Sequence, residues 1–174
     1  MYATPFQNRP TRPALRSLAL ALLALVALAL ALAACGPQEV YRAEHKLKDA
    51  AWAWEDTLRY CFKMTDTIGR YDMYLEVTHW DTFAYQNFYC RLHTRFPDGQ
   101  VTSVLKSYDL YDYQGRSRGR SRGQVGRVSI LLQNDAWFNQ QGDYCISLEQ
   151  YTRDARLGGI TAVGLRITKA RQEE

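Results

Sequence analysis

The sequence predicts an all-β protein: a single antiparallel β-sandwich, jelly-roll or immunoglobulin-like, with seven to eight strands behind a helical signal peptide. From Asp56 onward, apolar and polar residues alternate with a period of two, which is typical of strands with one buried face. Turn signals separate these runs at short, even intervals. No amphipathic helix of useful length follows the N-terminal apolar run, and the 12 tyrosines and 4 tryptophans suit strands better than helices.

The N-terminal 34 residues have the features of a bacterial lipoprotein signal peptide. Three arginines precede an apolar core of 15 residues that runs from Leu18 to Leu32. Leu-Ala-Ala directly before Cys35 resembles the lipobox, so we expect cleavage before Cys35 and lipidation of its thiol. The alternative is an uncleaved transmembrane helix. It is disfavoured because such a helix needs about 20 apolar residues.

Four segments follow from this assignment. We expect a lipoprotein signal peptide over 1–34, a lipidated tether over 35–50 with a short edge strand at 40–43, a β-sandwich domain over 51–170, and a polar tail over 171–174. Removing the leader leaves 140 residues, enough for one domain with a core. Lysine plus arginine falls from 22 to 19 against 18 acids. The mature net charge is therefore +1, which argues against a nucleic-acid partner.

The residue after the lipidated cysteine bears on localisation. An aspartate there commonly retains a lipoprotein in the inner membrane, and this chain has Gly36 instead. We therefore expect lipid anchoring in the outer membrane, on its periplasmic face rather than on the cell surface.

The strands can be placed in order along the chain. Asp66–Gly69 forms a turn, and Pro97-Asp98-Gly99 predicts a hairpin because proline presets φ and glycine accepts a positive φ. The segment 112–126 interrupts the pattern. The predicted strands cover 57–64, 71–78, 86–96, 101–110, 128–132, 144–150 and 160–168.

Three cysteines remain once the lipid carrier is set aside, and an odd number cannot all pair within one chain. Cys90 lies in phase with Phe88 and Leu92, so we expect a small core residue there. Cys61 and Cys145 lie on the polar phases of their strands. We expect free thiols here. A bridge between the two is the alternative, because they are the only pair whose phases agree, and it requires Cα atoms within about 7 Å.

An Arg-Ser-Arg-Gly unit occurs twice in the interrupting segment. Its composition predicts a solvated, flexible loop. A sharper hypothesis is that its guanidinium groups bind the phosphates of lipopolysaccharide or lipid headgroups. Together with two aromatic residues, these arginines form the candidate interaction surface: Trp80, Tyr85, Arg116, Arg118, Arg120 and Arg122.

No pattern in the chain points to catalysis. The sequence lacks GxSxG, HExxH and a glycine-rich phosphate loop, and its three histidines form no ligand spacing with acids. We therefore expect no enzymatic activity, no cofactor, no metal and no small-molecule substrate. Several aromatic residues raise the alternative of a sugar-stacking platform, although tryptophans at strand ends more often cover a core: Trp52, Trp54, Trp80, Tyr85 and Tyr89.

Seven short runs, taken in order, carry a resemblance to a known family. They are Trp54-Glu55-Asp56-Thr57-Leu58, Asp66-Thr67, Tyr71-Asp72-Met73-Tyr74-Leu75, Tyr85-Gln86-Asn87, Pro97-Asp98-Gly99, Gly142-Asp143-Tyr144 and Val163-Gly164-Leu165-Arg166-Ile167. Over about Val40 to Thr168, this ordered set resembles the gliding-motility lipoprotein family GldH. The repeated Arg-Ser-Arg-Gly unit departs from the family pattern.

The resemblance implies an envelope lipoprotein of gliding Gram-negative bacteria. Members are needed for movement over surfaces, which is coupled to adhesin export through the type IX secretion system, and no catalytic residue or cofactor is assigned to them. The expectation is therefore a non-enzymatic structural or interaction component, with other motility or secretion proteins of the envelope as partners. The rival is an envelope carbohydrate-binding module that uses exposed aromatic residues.

Overall fold

The computed structural model describes residues 22–25 and 38–171, and the second of these segments is built from strands. Leu22–Leu25 is helical. The rest of the expected signal peptide and the expected lipidation site Cys35 lie outside the described residues. The strands are β1 (Glu39–Lys46), β2 (Ala51–Ala53), β3 (Leu58–Met64), β4 (Tyr71–Trp80), β5 (Asn87–Arg95), β6 (Val101–Asp109), β7 (Arg120–Arg122), β8 (Val125–Ala136), β9 (Gly142–Gln150), β10 (Arg156–Gly158) and β11 (Ile160–Lys169).

Two antiparallel sheets pack face to face. The first has the order β1-β11-β4-β8-β7 and the second the order β3-β9-β5-β6, while β10 and β2 pair separately. The prediction of an all-β sandwich is confirmed. Eight strands have seven or more residues, in agreement with the predicted seven to eight, and the three-residue strands β2, β7 and β10 are additions.

Alternation of side chains explains why these segments form strands. Strand β3 alternates between buried and exposed residues, as expected for a pleated strand with one solvent-exposed face. Its buried residues are Leu58, Tyr60, Phe62 and Met64, and the residues between them are exposed. In β11 the burial is nearly continuous. Val163, Leu165 and Ile167 fill the core, and on the other face the small Gly164 lies between Glu44 of β1 and Glu76 of β4.

Aromatic rings fill one end of the core. Phe62, Phe138 and Tyr144 form a cluster with ring centroids 4.9 to 6.0 Å apart. Two of the pairs are edge-on and the third is stacked, and both are arrangements that aromatic pairs favour. The buried Tyr60 hydroxyl donates a 2.8 Å hydrogen bond to the Val163 carbonyl of the opposite sheet. Burial raises the pKa of Tyr60, so its hydroxyl remains a donor at neutral pH.

The tether prediction is wrong for residues 39–46. The short edge strand expected at 40–43 is an eight-residue strand that pairs with β11 from Glu39 to Lys46, so the sandwich begins at Glu39 rather than at residue 51. Tyr41 packs on Phe62 with ring centroids 5.1 Å apart. The sequence of this segment resembles a tether because charged residues alternate along it. In the structure these residues belong to an edge strand, and charges on an edge strand prevent pairing with another chain.

Cys61 and Cys145, for which we expected free thiols, are joined by a disulfide bond, because they oppose each other directly in β3 and β9. The pair lies on the outer face of the second sheet. Cys90 is a free, fully buried thiol in the core of the described region. Burial raises the pKa of Cys90 to about 12.

The loops separate into two groups at opposite ends of the strands. The end where β1 begins, here called the N-terminal end, carries the loops 65–70, 96–100 and 137–141. The other end, here called the distal end, carries the loops 54–57, 81–86, 110–119 and 151–155. In the described parts of the chain, no helix is long and apolar enough to cross a membrane.

We expect the disulfide to stabilise the domain. Replacing both Cys61 and Cys145 by serine should lower the free energy of unfolding by about 2–4 kcal/mol, because the bond closes a segment with a sequence separation of 84. Urea denaturation with and without reductant measures this loss. Ser147→Ala, on the same outer face of β9, is the control, and an unchanged midpoint in the double variant would contradict the expectation.

Thiol labelling at pH 8 should count the cysteines by state. The folded, oxidised protein should incorporate no label, since the thiolate is the reactive form and the Cys90 pKa of about 12 keeps that residue protonated. Guanidinium should expose one thiol, and guanidinium with reductant should expose three if Cys35 is acylated. Label in the folded protein would show that Cys90 is accessible.

Candidate interaction surface

All six residues of the predicted interaction surface lie at the distal end. Trp80 is the last residue of β4 and is 38% exposed, and Tyr85 in the next loop is 46% exposed. The arginines Arg116, Arg118, Arg120 and Arg122 follow β6, within the segment that leads into β8. The topology therefore gathers at one end of the sandwich residues that are up to 42 positions apart in the sequence.

A groove of about 750 Å³ opens beside Tyr85. Its aromatic lining comes from three different segments, and Tyr85, Tyr89 and Tyr151 each expose about half of their surface. Leu105 of β6 adds an exposed aliphatic side chain. An open concavity lined by aromatic side chains and a few polar groups is the usual form of a recognition site.

Polar contacts hold two of the three tyrosines of this groove in place. The Tyr85 hydroxyl donates a 2.7 Å hydrogen bond to Asp154, and this carboxylate raises the pKa of Tyr85. The guanidinium of Arg91 stacks 4.2 Å above the Tyr151 ring, a favourable cation–π geometry. The side chains of Tyr85 and Tyr151 are therefore ordered before a partner binds, which lowers the entropic cost of binding.

A second concavity of about 370 Å³ lies between Tyr85 and the arginine-rich segment. Tyr111 lines it, and its hydroxyl donates to the carbonyls of Trp80 and Asp81 at 3.3 and 3.2 Å. Behind it His79 is buried, with Nδ1 3.2 Å from the Tyr111 hydroxyl. These contacts fix the end of β4 against the arginine-rich segment.

The arginine-rich segment is exposed to solvent, but it is not a loop throughout, because Arg120–Arg122 form the short strand β7. Asp112 Oδ1 accepts hydrogen bonds from the backbone amides of Gln114 and Arg116 at 2.8 and 2.9 Å. β7 then pairs with the start of β8 through a tight turn at Gly123, whose φ of 60° favours glycine. The short strand could not be predicted from composition, because serine, glycine and arginine are also common in disordered segments.

The four arginines differ in whether they form ion pairs. Arg116 pairs with Asp112 at 2.8 Å and Arg118 pairs with Asp109 at 3.4 Å. Within residues 38–171, Arg120 and Arg122 form no ion pair. A phosphate-bearing ligand would therefore meet two free guanidinium groups here rather than a cluster of four.

Sequence reasoning missed three contributors to the groove: Tyr151, Asp154 and Arg91. Tyr151 follows β9 and Arg91 lies on β5, and only the pairing of β5 with β9 brings them together. The available signal was the outward phase of Tyr89 and Arg91 in the predicted third strand. The position of Asp154 depends on the fold of the 151–155 loop, for which the sequence offers no pairing rule.

One hydroxyl, imidazole and carboxylate form a row on the outer face of the second sheet. Ser103 Oγ lies 2.6 Å from His93 Nδ1, and Glu149 lies 3.3 Å from His93 Nε2. In serine hydrolases the hydroxyl faces Nε2 and the carboxylate faces Nδ1, so this order is reversed. The three residues are cross-strand neighbours in β6, β5 and β9.

Among the described residues, no group of three or more histidine, cysteine or acidic side chains is arranged to hold a metal ion.

Comparison with known proteins gives a family match over most of the chain. A family model described as GldH lipoprotein matches residues 39–167. The chain is 24% identical over 143 residues to a protein of Christiangramia forsetii named gliding motility lipoprotein GldH homolog, which covers 78% of this chain and 87% of the relative.

Two solved structures are similar at low identity. A carbohydrate-binding module, CBM28, described as specific for non-crystalline cellulose, aligns with 10% identity and a TM-score of 0.41 over 75% of this chain and 73% of the module. The VP2 subviral particle of infectious bursal disease virus aligns with 9% identity and a TM-score of 0.34 over 75% of this chain and 30% of the viral chain. At such scores neither similarity carries an argument about function.

Asp112 should control the order of the arginine-rich segment. Hydrogen bonds from the Arg116 and Gln114 amides and the Arg116 guanidinium lower its pKa below the ordinary 3.8. This cap is therefore fully present above pH 3.8 and is lost as the pH falls through the lower pKa of the folded protein. At pH 8, Asp112→Ala should make trypsin cleave after the arginines of this segment several-fold faster. Asp81→Ala is the control, and equal cleavage rates would contradict the role of the cap.

Proposed function

Because the chain belongs to the GldH lipoprotein family, we propose that it is a lipid-anchored, non-enzymatic interaction component of the outer membrane in a gliding-motility apparatus linked to type IX secretion. The family match over residues 39–167 supports the motility context. The Leu-Ala-Ala-Cys35 sequence supports the lipid anchor. Its acyl chains each gain about 0.8 kcal/mol per buried CH₂, so two or three of them hold a protein durably to a bilayer.

The proposed interaction role is supported mainly by the preorganised tyrosine groove at the distal end. Tyr85, Tyr89 and Tyr151 present large half-exposed rings, and Asp154 and Arg91 hold Tyr85 and Tyr151 in position. Aromatic residues and arginine dominate the energetics of protein interfaces. We propose that another envelope protein of the motility or secretion apparatus binds in this groove.

The edge strand β6 offers such a partner a second means of attachment. It lies at the margin of the second sheet, and all but one of its nine residues are exposed. An extended partner segment can add to such an edge through main-chain hydrogen bonds. Leu105 of β6 also lines the groove, so strand addition and side-chain recognition would occur side by side.

A motility assay with a crosslinked pull-down tests this function. A deletion strain should fail to spread over surfaces, and the tagged full-length chain should restore spreading and capture an envelope protein. The double variant Tyr89→Ala, Tyr151→Ala should weaken capture by about tenfold or more at unchanged protein level and unfolding temperature. Tyr113→Ala, which removes a ring that is 83% exposed outside the groove, is the matched control.

Two results would contradict the proposal. Full motility in the deletion strain would remove the role in gliding. Retention of a polysaccharide by the purified protein, abolished by Trp80→Ala or by the tyrosine double variant, would instead support the carbohydrate-binding rival.

A further inference from the structure

The N-terminal end of the sandwich lies close along the chain to the proposed lipid anchor. β1 begins at Glu39, and only Gly36, Pro37 and Gln38 separate it from Cys35. A fully extended chain spans about 3.5 Å per residue, so Cys35 lies within about 14 Å of the Glu39 Cα atom. A backbone hydrogen bond of 2.8 Å from Lys169 to the Gln38 carbonyl ties the start of this segment to the sheet.

Two large apolar side chains protrude from this same end. Ile68, at the tip of the 65–70 loop, is 87% exposed, and Trp137, in the 137–141 loop, is 57% exposed. The two loops touch, because the Trp137 indole N–H donates a 2.6 Å hydrogen bond to the Thr67 carbonyl. The isoleucine and tryptophan therefore lie on adjacent loop tips as an exposed apolar pair.

The loop that carries Ile68 is held in one conformation by its own hydrogen bonds. Asp66 Oδ1 accepts from the backbone amides of Ile68 and Gly69 at 3.0 and 2.9 Å. Because these bonds favour the ionised carboxylate, they lower the pKa of Asp66. Ile68 is therefore presented outward by a capped turn.

Charged side chains surround the two apolar residues in a mixed pattern. The Arg70 guanidinium lies 5.5 Å from the centroid of the Trp137 ring, and Lys169 pairs with Asp66 at 3.8 Å. A tryptophan next to arginine and lysine is typical of a membrane–water interface. Acidic residues such as Asp135 lie at the same end, so any attraction to anionic lipid is small.

We propose that the N-terminal end docks on the lipid bilayer that holds Cys35, with Ile68 and Trp137 inserted at its interface. The proposal rests on the lipid anchor of the proposed function. The short link selects the bilayer over a protein partner, because it keeps the start of β1 within about 14 Å of the lipid-bearing Cys35. β4, which runs from this end to the distal end, has ten residues. At about 3.3 Å per residue, the distal groove then faces away from the membrane at a height of about 30 Å.

The distribution of tryptophans makes the orientation measurable. Trp52 is buried in the core, Trp54 and Trp80 lie at the distal end, and Trp137 alone of the four lies at the N-terminal end. A quencher placed in the lipid should therefore affect Trp137 and spare the others.

The experiment uses the full chain, produced and processed in a bacterium and reconstituted in phosphatidylcholine vesicles. The lipid is brominated near the top of its acyl chains, and plain lipid is the reference. In Trp54→Phe, Trp80→Phe protein, bromination should quench the exposed tryptophan emission, and the emission maximum should shift to the blue on vesicle binding. Trp137→Phe protein should show neither effect, and adding phosphatidylglycerol should change little.

A charge placed at the loop tip tests the docking contact itself. Ile68→Asp should reduce the quenching of Trp137, whereas Tyr113→Asp, on an equally exposed distal residue, should leave it unchanged. Protein that floats with the vesicles but shows an unquenched Trp137 would overturn the docking, and crosslinking between copies through this end would assign the surface to a dimer instead. Protein that fails to float would overturn the lipid anchor, and the docking proposal with it.

Discussion

The packing of two apolar sheet faces against each other is the constraint on which the rest of the structure depends. Each long strand contributes alternate side chains to the shared interior, so a shift of one residue in any strand would turn its apolar set toward water. Tyr60 and Val163 show how closely the two faces are matched, since the tyrosine crosses the interior to reach a carbonyl of the opposite sheet. This register determines which side chains remain outside, and the outer residues make the surfaces that can meet a partner.

The sandwich has two ends with different chemistry. The end where the chain enters carries Ile68 and Trp137 on neighbouring loops. The distal end carries the tyrosine groove and the arginine-rich segment, in which Arg116 and Arg118 form ion pairs with Asp112 and Asp109. In the proposed arrangement, the length of the strands separates the membrane-docked end from the end that carries the groove.

Much of the fold could be predicted from the sequence because strand periodicity is a local property. Alternation placed the strands around Leu58–Met64 and Tyr71–Thr78, and phase alone placed Cys90 in the core. The sheet order could not be predicted, because it depends on pairing between segments far apart in the chain. β1 was mistaken for part of a tether because an edge strand protected by charges has the composition of a linker. The candidate site was also predicted only in part. Trp80 and Tyr85 could be named from the sequence, but the groove also requires Tyr151 and Asp154, and only the tertiary structure places these two residues beside Tyr85.

Lipid attachment at Cys35 is the central claim, because both the membrane location and the orientation of the domain depend on it. Intact-mass spectrometry of the native protein from its own envelope tests this claim most directly. The account predicts a chain that begins at Cys35 and carries a diacylglyceryl group on the sulfur. A chain that retains residues 1–34, or one that begins at Cys35 with an unmodified thiol, would contradict it.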